Sequence, residues 1–466
     1  MSILDIILLV GIVGVAVWRI IAGRNAPRPL RLAPLALAAL ALIQLVAEGY
    51  YWQLIPAWLV IAVLGLLSLR KPDPTAKRRP ILRLFGQAVL LGLVGLVLAP
   101  WTFLPVPAMI RPDGPYAVGS EIFRWTDASR PEPATNDPAD RRSVIVQAWY
   151  PAQPNSRLTG PVYMDGLEDL PKTVSILPRF MLRHFNRIDT HASLEAPVSA
   201  KQQTWPVILF SPGYGAPRAS YTSLVTRLAS RGYVVLAIDH PYEAAVTRLP
   251  NGRVAAMVEH RLPNDPDMTN FMIAHLETRV ADADFVLDQM AKPFGLGPRL
   301  SSRADSNRVA IIGHSFGGAT AAAAMGQDPR VKAAVNLDGT YYGAIPVRPL
   351  DRPFMVVQSD YAETHHSRTF IDGNNQLLAN SEAAGAWRYE VHQANHYSFT
   401  DLPLFLSPPG RLALSWLIGG SRGPDQTQKA AADLITAFLQ GPFGGPPADM
   451  AAAAKPYPWI TGGPVR

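Results

Sequence analysis

Residues 309–324 read VAIIGHSFGGATAAAA. An apolar run, 309–312, ends in a serine flanked by glycines, and a helix-forming alanine run follows. In that order a strand, a sharp turn and a helix expose a serine side chain at the top of a sheet. Gly313, Gly317 and Gly318 lack the Cβ that would obstruct so tight a turn. The Gly-x-Ser-x-Gly spacing alone is a weak signal, expected by chance in roughly one chain in seven of this composition. Its reading depends on what precedes and follows it.

Short β-rich runs recur on both sides: SVIVQAWYP (143–151), WPVILFSPG (205–213), GYVVLAIDHP (232–241), NRVAIIGHS (307–315), VKAAVNLDG (331–339), PFMVVQSD (353–360) and WRYEVHQA (387–394). Helical patterns at 221–231, 275–290, 317–325 and 426–439 separate them. Near-continuous apolar strands alternating with helices predict a mainly parallel, doubly wound sheet covered on both faces. Function in such sheets sits at the carboxyl ends of the strands. Residues 127–142, rich in Pro, Asp and Arg, are expected to form an exposed loop.

A serine hydroxyl attacks only when a base takes its proton, and an acid must orient that base. Both are expected after the serine, each on a loop beyond a later strand. His365, His366, His392 and His396 qualify as the base. His396, in QANHYSFTD just past the last strand, is the best placed. For the acid, Asp338 after KAAVNL and Asp360 after FMVVQS stand equally well at strand ends. The oxyanion formed on attack needs fixed N–H donors. Phe316, directly after the serine, supplies one, and Tyr214 in FSPGYG (210–215) the other. His314 is expected to be a packing residue, and His240 and Tyr242 to line the pocket. His365 and His366 lack companions at metal-ligand spacing.

The first quarter of the chain is different in kind. Residues 1–109 carry ten Lys/Arg and three Asp/Glu, leaving 33 of each sign for the rest, so the formal charge of +7 belongs to this quarter alone. That distribution gives no basic surface for nucleic acid on the remainder. Four apolar stretches, 3–21, 32–51, 54–69 and 84–103, approach the length of a membrane span. No polar residue stands deep in them, as a transport path would require. Basic residues gather in the first and third connections, which the positive-inside rule makes cytoplasmic. The chain after the fourth stretch is then extracytoplasmic, at the cell (inner) membrane. The absence of cysteine excludes disulfides and thiolate chemistry.

With these pieces placed, the chain resembles the platelet-activating-factor acetylhydrolase family of α/β-hydrolases. The likeness runs through GPYAVGS, VILFSPGYGAPRASYTSLVTRLASRGYVVLAIDHP, GHSFGGATA, NLDGTYYG and HYSFTD. It implies an α/β-hydrolase fold over 110–466; the transmembrane domain of about four helices expected over 1–109 rests on the apolar stretches alone, which the likeness does not cover. It implies Ser315 as nucleophile, Asp338 in Leu-Asp-Gly as acid and His396 as base, and so resolves the choice between aspartates. The implied activity is hydrolysis of short acyl esters of phospholipids or similar lipids, with neither cofactor nor metal. The implied partners are the membrane and a lipid or small ester. Tyr341 and Tyr342 stand where the animal members carry a tryptophan-containing stretch, and are candidate pocket residues. Cutinase-like or dienelactone-hydrolase-like activity on other esters is the alternative, and a membrane sensor or transporter with a non-catalytic hydrolase domain the remote one. Residues 171–188, PKTVSILPRFMLRHFNRI, are a candidate lid or membrane-facing surface. Residues 402–418 are too broken by proline and glycine for a fifth span and are expected to pack beside the site.

Overall fold

In the computed structural model the described residues are 3–22, 28–69, 80–154, 159–167, 179–182, 185–186, 188–258, 265–413 and 420–465. They form two compact units, 1–107 with 405–411, and 108–404 with 412–466.

The first unit contains four helices, α1 (Ile3–Ala22), α2 (Arg28–Glu48), α3 (Ile55–Leu69) and α4 (Pro80–Phe103). Leu8, Ile12 and Ala16 of α1 pack with Leu37 of α2, Val60 and Leu64 of α3, and Val97 and Trp101 of α4. Large apolar side chains also cover the outside, among them Ile7, Val10, Leu35, Val46, Leu66 and Phe85. Water does not favour an outer surface of that kind. By length and composition the four helices are able to cross a membrane. Gln44 departs from the expectation of wholly apolar stretches, since it is fully buried within the bundle. Arg19 also donates to the Ser68 hydroxyl at 3.0 Å, and Gln87 to the Ile20 carbonyl at 3.1 Å. Of the segment 402–418, residues 414–418 lie outside the described residues, and Phe405–Arg411 groups with these helices. There the Ser407 hydroxyl donates to the Thr102 carbonyl at the end of α4.

The second unit is built on a sheet of ten strands. In chain order the strands of the unit are β1 (Ala117–Pro131), β2 (Arg141–Ala152), β3 (Ala192–Leu194), β4 (Trp205–Ser211), β5 (Val234–Asp239), β6 (Val246–Arg248), β7 (Val254–Ala256), β8 (Ala304–His314), β9 (Val331–Leu337), β10 (Phe354–Ser359), β11 (Ala386–Val391) and β12 (Ile460–Pro464). The sheet runs β12-β11-β10-β9-β8-β4-β5-β2-β1-β3, with β6 and β7 forming a separate hairpin. From β11 to β5 every pairing is parallel, while β12, β2 and β1 add antiparallel strands at the margins.

Successive residues of the central strands alternate between two cores, as strand geometry requires. Val207, Leu209, Val309, Ile311 and Val356 meet helices Met268–Ala291 and Phe316–Gln327 on one face. Ile208, Phe210, Ala310, Ile312 and Val357 meet Thr222–Ser230 and Pro424–Gln440 on the other. The expected loop at 127–142 is shorter than predicted, because β1 continues to Pro131 and β2 begins at Arg141. Arg142 is buried there, against Asp282 at 2.7 Å and Glu132 at 3.1 Å. Of residues 171–188, Arg179–Leu182 forms one helical turn, and Leu182 packs with Leu167 and Val246. Most of that segment lies outside the described residues.

At the carboxyl end of β8 the glycines are steric necessities. A Cβ on Gly313 would lie 1.9 Å from the Gly317 carbonyl oxygen, and one on Gly317 the same distance from that of Ser211. Gly326, on the same helix, meets nothing nearer than the Leu350 Cδ2 at 3.6 Å. Gly313→Ala is therefore expected to lose about 3 kcal/mol or more, and Gly326→Ala to gain about 0.5–1 kcal/mol from helix propensity. Thermal melts of the two variants check the opposite signs.

Candidate active site

Ser315 sits between the end of β8 and the first residue of helix Phe316–Gln327, with φ 55° and ψ −124°. A non-glycine residue holds this left-handed conformation only where its surroundings enforce it. Here the Ser315 N–H donates to the Leu337 carbonyl at 2.8 Å, and its own carbonyl accepts from the Gly318 N–H at 2.9 Å. The turn thus locks to the end of β9 on one side and to its own helix on the other.

Asp338 follows β9 in a second left-handed turn, φ 57°. Asn336 secures that turn, accepting from the Gly339 N–H at 2.7 Å and donating to the Gly339 carbonyl at 2.9 Å. The Asp338 carboxylate is fully buried, with four donors around it. Oδ1 accepts from the Ser359 N–H at 2.7 Å and from His366 Nε2 at 2.8 Å. Oδ2 accepts from the Ser359 hydroxyl at 2.8 Å and from His396 Nδ1 at 2.8 Å. Burial alone would raise its pKa. The hydrogen bonds from His366 and His396 outweigh burial and hold the carboxyl well below the usual carboxylate range. An ionised carboxylate only accepts, so the two imidazole nitrogens facing it carry protons. His396 therefore keeps Nε2 free of hydrogen when its ring is neutral, the tautomer a general base needs.

His314 joins this group to the rest of the site. Its Nε2 donates to the His396 carbonyl at 2.9 Å, which leaves Nδ1 to accept from the Tyr221 hydroxyl at 2.8 Å. Tyr221 in turn accepts from the Gly213 N–H at 2.9 Å. Burial, then the neighbouring His396, brings the His314 pKa down to about 3, so the ring is neutral and this pattern is fixed. The packing role expected of His314 is thus a hydrogen-bonded bridge between the His396 loop and the loop carrying Tyr214. That second loop passes close to Ser315, since a Cβ on Gly213 would lie 3.2 Å from its Cβ. Phe316 opens a helix, and the first N–H groups of a helix have no acceptor within it. The Phe316 ring meets Tyr214 and Tyr342 edge-on, at 6.1 and 5.6 Å between centroids.

Other expected residues fall elsewhere. His240 is fully buried, so it cannot line an open pocket: Nδ1 bonds Asp282 at 2.9 Å and Nε2 bonds the Ser211 hydroxyl at 3.1 Å. This Ser–His–Asp set has the connectivity of a hydrolytic triad, yet no ester reaches it. Tyr341 is buried as well, its hydroxyl accepting from Asn336 at 2.7 Å. Tyr242 borders a separate cavity of about 260 Å³ with Glu132, Arg141 and Ser143. Among the candidate bases Asp360 faces His392, whose Nδ1 lies 3.8 Å from its Oδ2, and not His396. One of its oxygens accepts from the Ala362 N–H at 2.8 Å, the other from the Gln393 N–H at 2.6 Å. Asp360, Glu390 and His392 bring ligand atoms within 4.8 Å of one another. Glu390 also accepts from Tyr361 and Gln358, so both carboxylates already serve the loops around them.

The family described as "Alpha/beta hydrolase family" matches residues 208–456, and "Platelet-activating factor acetylhydrolase, isoform II" matches residues 107–261. The chain belongs to the alpha/beta hydrolase family. A protein of Arthroderma benhamiae named "Probable 1-alkyl-2-acetylglycerophosphocholine esterase" is 26% identical over 64% of this chain and 78% of its own. The platelet-activating factor acetylhydrolase of Cavia porcellus is 25% identical over 50% of this chain and 58% of its own. Among solved structures, the ferulic acid esterase from Streptomyces cinnamoneus superimposes with a TM-score of 0.63 at 27% identity, over 77% of this chain and 99% of that one. The chain is a serine ester hydrolase related to the platelet-activating factor acetylhydrolases.

His366 is the contact that sequence reasoning passed over. It stood among four histidines after the acid, but only the fold turns it onto Asp338, stacked on Phe370 at 4.0 Å. His366→Phe takes one of four donors from the buried Asp338 carboxylate and is expected to lose about 1–3 kcal/mol of stability. His366→Gln, which can still donate, should lose less, and thermal melts of the two variants check the order.

Proposed function

We propose that this hydrolase removes short acyl groups from glycerophospholipids or similar lipids, through an acyl-enzyme on Ser315. The observation that carries the reading is the buried Asp338 carboxylate bonded to His396 at 2.8 Å, one strand from the turn that presents Ser315. His396 takes the Ser315 proton as the hydroxyl attacks the ester carbonyl. Asp338 stabilises the imidazolium that forms. The N–H groups of Phe316 and Tyr214 receive the oxyanion. His396 then protonates the leaving alcohol, and a water activated by the same ring releases the acid. The Phe316, Tyr214 and Tyr342 rings, edge to face beside the turn, supply apolar surface for a short acyl chain. The kinship with acetylglycerophosphocholine esterases supports a phospholipid substrate.

In this reading α1–α4 are membrane spans. Basic residues in the α1–α2 and α3–α4 connections keep those turns in the cytoplasm, and the catalytic domain faces the extracytoplasmic side. The substrate is then a lipid of the same or an adjoining membrane. The likeness to a ferulic acid esterase favours a second reading in which the ester is not a phospholipid.

Ser315→Ala is expected to lower ester hydrolysis by about 10⁴-fold or more, and Asp338→Asn by about 10⁴-fold, because it no longer fixes the base's tautomer. Stopped assays on 4-nitrophenyl acetate measure both. A fluorophosphonate probe on intact spheroplasts should label Ser315, and externally added protease should remove the label. Protection from the protease would reverse the topology. Turnover of 2-acetyl glycerophospholipid set against feruloyl and polyester substrates decides between the two readings.

A further inference from the structure

Helix Met268–Ala291 carries two charged side chains on its buried face, Arg279 and Asp282, one turn apart. Asp282 belongs to the set beneath Ser211 described above. Arg279 reaches the next two residues of the same loop. Its Nη1 donates to the Pro212 carbonyl at 2.6 Å and its Nη2 to the Gly213 carbonyl at 3.4 Å. Its Nε donates to Glu243 at 2.7 Å, and its guanidinium lies 4.7 Å from the centroid of the Phe316 ring. Helix Met268–Ala291 therefore holds three consecutive residues where β4 leaves the sheet: Ser211, the last of the strand, through His240, and Pro212 and Gly213 through Arg279.

The chemistry of those contacts is directional. The Gly213 carbonyl and the Tyr214 N–H belong to one planar peptide unit, so a cation at the oxygen both fixes the orientation of the N–H and increases its positive charge. The guanidinium carbon meanwhile lies over the ring of Phe316, the residue that offers the second donor. Glu243 anchors Arg279. Burial opposes ionisation of Glu243, but Arg279 and then the His275 hydrogen bond outweigh it and bring the carboxyl down to about 2. His275 closes the circle, its ring 5.5 Å from that of Tyr214.

We infer that Arg279 is a positioning residue for the oxyanion hole, setting the two N–H donors of Tyr214 and Phe316 against a single guanidinium. The inference rests on Ser315 being the nucleophile. Arg279 touches no substrate and acts through the peptide it holds.

The test compares 4-nitrophenyl acetate with its thiono analogue, in which sulfur, a weak acceptor, replaces the carbonyl oxygen. The full-length wild-type protein should strongly prefer the oxygen ester. In Arg279→Gln, kcat on the acetate should fall about 30–300-fold with KM within about threefold. The thiono rate should fall much less, so the oxygen-to-sulfur preference drops by about tenfold or more. Arg279→Lys, a point cation unable to hold two carbonyls and stack, should fall between the two. If Arg279→Gln fails to fold by circular dichroism, Glu243→Gln serves instead: it keeps the guanidinium but loosens its anchor, with an expected drop of about 3–10-fold. A wild-type preference in whichever folded variant is measured overturns the inference, whatever its melting temperature. Full activity in Ser315→Ala would overturn the nucleophile and this role with it. Serine-dependent activity with an unchanged preference overturns this role alone.

Discussion

Backbone meets backbone at the centre of the catalytic domain with no room for side chains, and the remainder of the site is organised around that contact. Added Cβ atoms on Gly313, Gly317, Gly318 and Gly339 would each fall within 2.2 Å of another residue's atom: the carbonyls of Gly317, Ser211 and Ser315, and the Asn336 amide oxygen. Glycine has no such atom to place, so the ends of β4, β8 and β9 converge on one point. Convergence puts Ser315 in a left-handed turn, with the Tyr214 loop on one side and the Asp338 turn on the other. The strained Ser315 turn and the two loops beside it thus follow from one steric condition.

Electrostatics completes what steric fit begins. A carboxylate taken fully out of water is costly unless hydrogen bonds replace its hydration. Asp338 has four, two of them from Ser359 at the end of β10. Ser359 links the acid to the adjacent strand and leaves the two imidazoles to share the rest of its charge. His314, neutral because it is buried, can then connect the His396 carbonyl to Tyr221 without adding a competing charge. Asp338, His396 and the Gly213–Tyr214 loop are thus held by hydrogen bonds whose donors and acceptors follow from one another.

How much of this could be read from the chain depends on the range of each interaction. The strand, turn and helix around Ser315 were legible because glycine chemistry and apolar periodicity are local. So were the central parallel strands, whose burial on both faces leaves unbroken apolar runs. β1 was not, since EIFRWTDASR mixes charge into a half-exposed strand and shows no such run. β12 was hidden by its glycines. Asp338 and Asp360 were indistinguishable by local pattern because both end strands. Only the fold commits Asp360 to capping Tyr361–Thr364 and to Gln393, eliminating it as a partner of His396. His366 and Arg279 had no local signal, as each acts on a residue tens of positions away.

The charged residues inside helix Met268–Ala291 break its amphipathic pattern, and a buried ion pair seldom adds stability over well-packed apolar side chains. Phe271, Leu276, Val280 and Ala283 of the same helix show what such packing looks like on this face of the sheet. The polar exceptions occur where the helix passes the 211–214 loop, whose carbonyls and hydroxyl apolar residues could not hold. Beyond β4 the chain leaves the sheet and cannot satisfy its backbone by pairing there, so something outside the sheet must take its carbonyls. Arg279 takes those of Pro212 and Gly213, anchored by Glu243, while His240 and Asp282 hold the Ser211 hydroxyl, and the stability these buried charges cost is spent on a segment the sheet cannot fix.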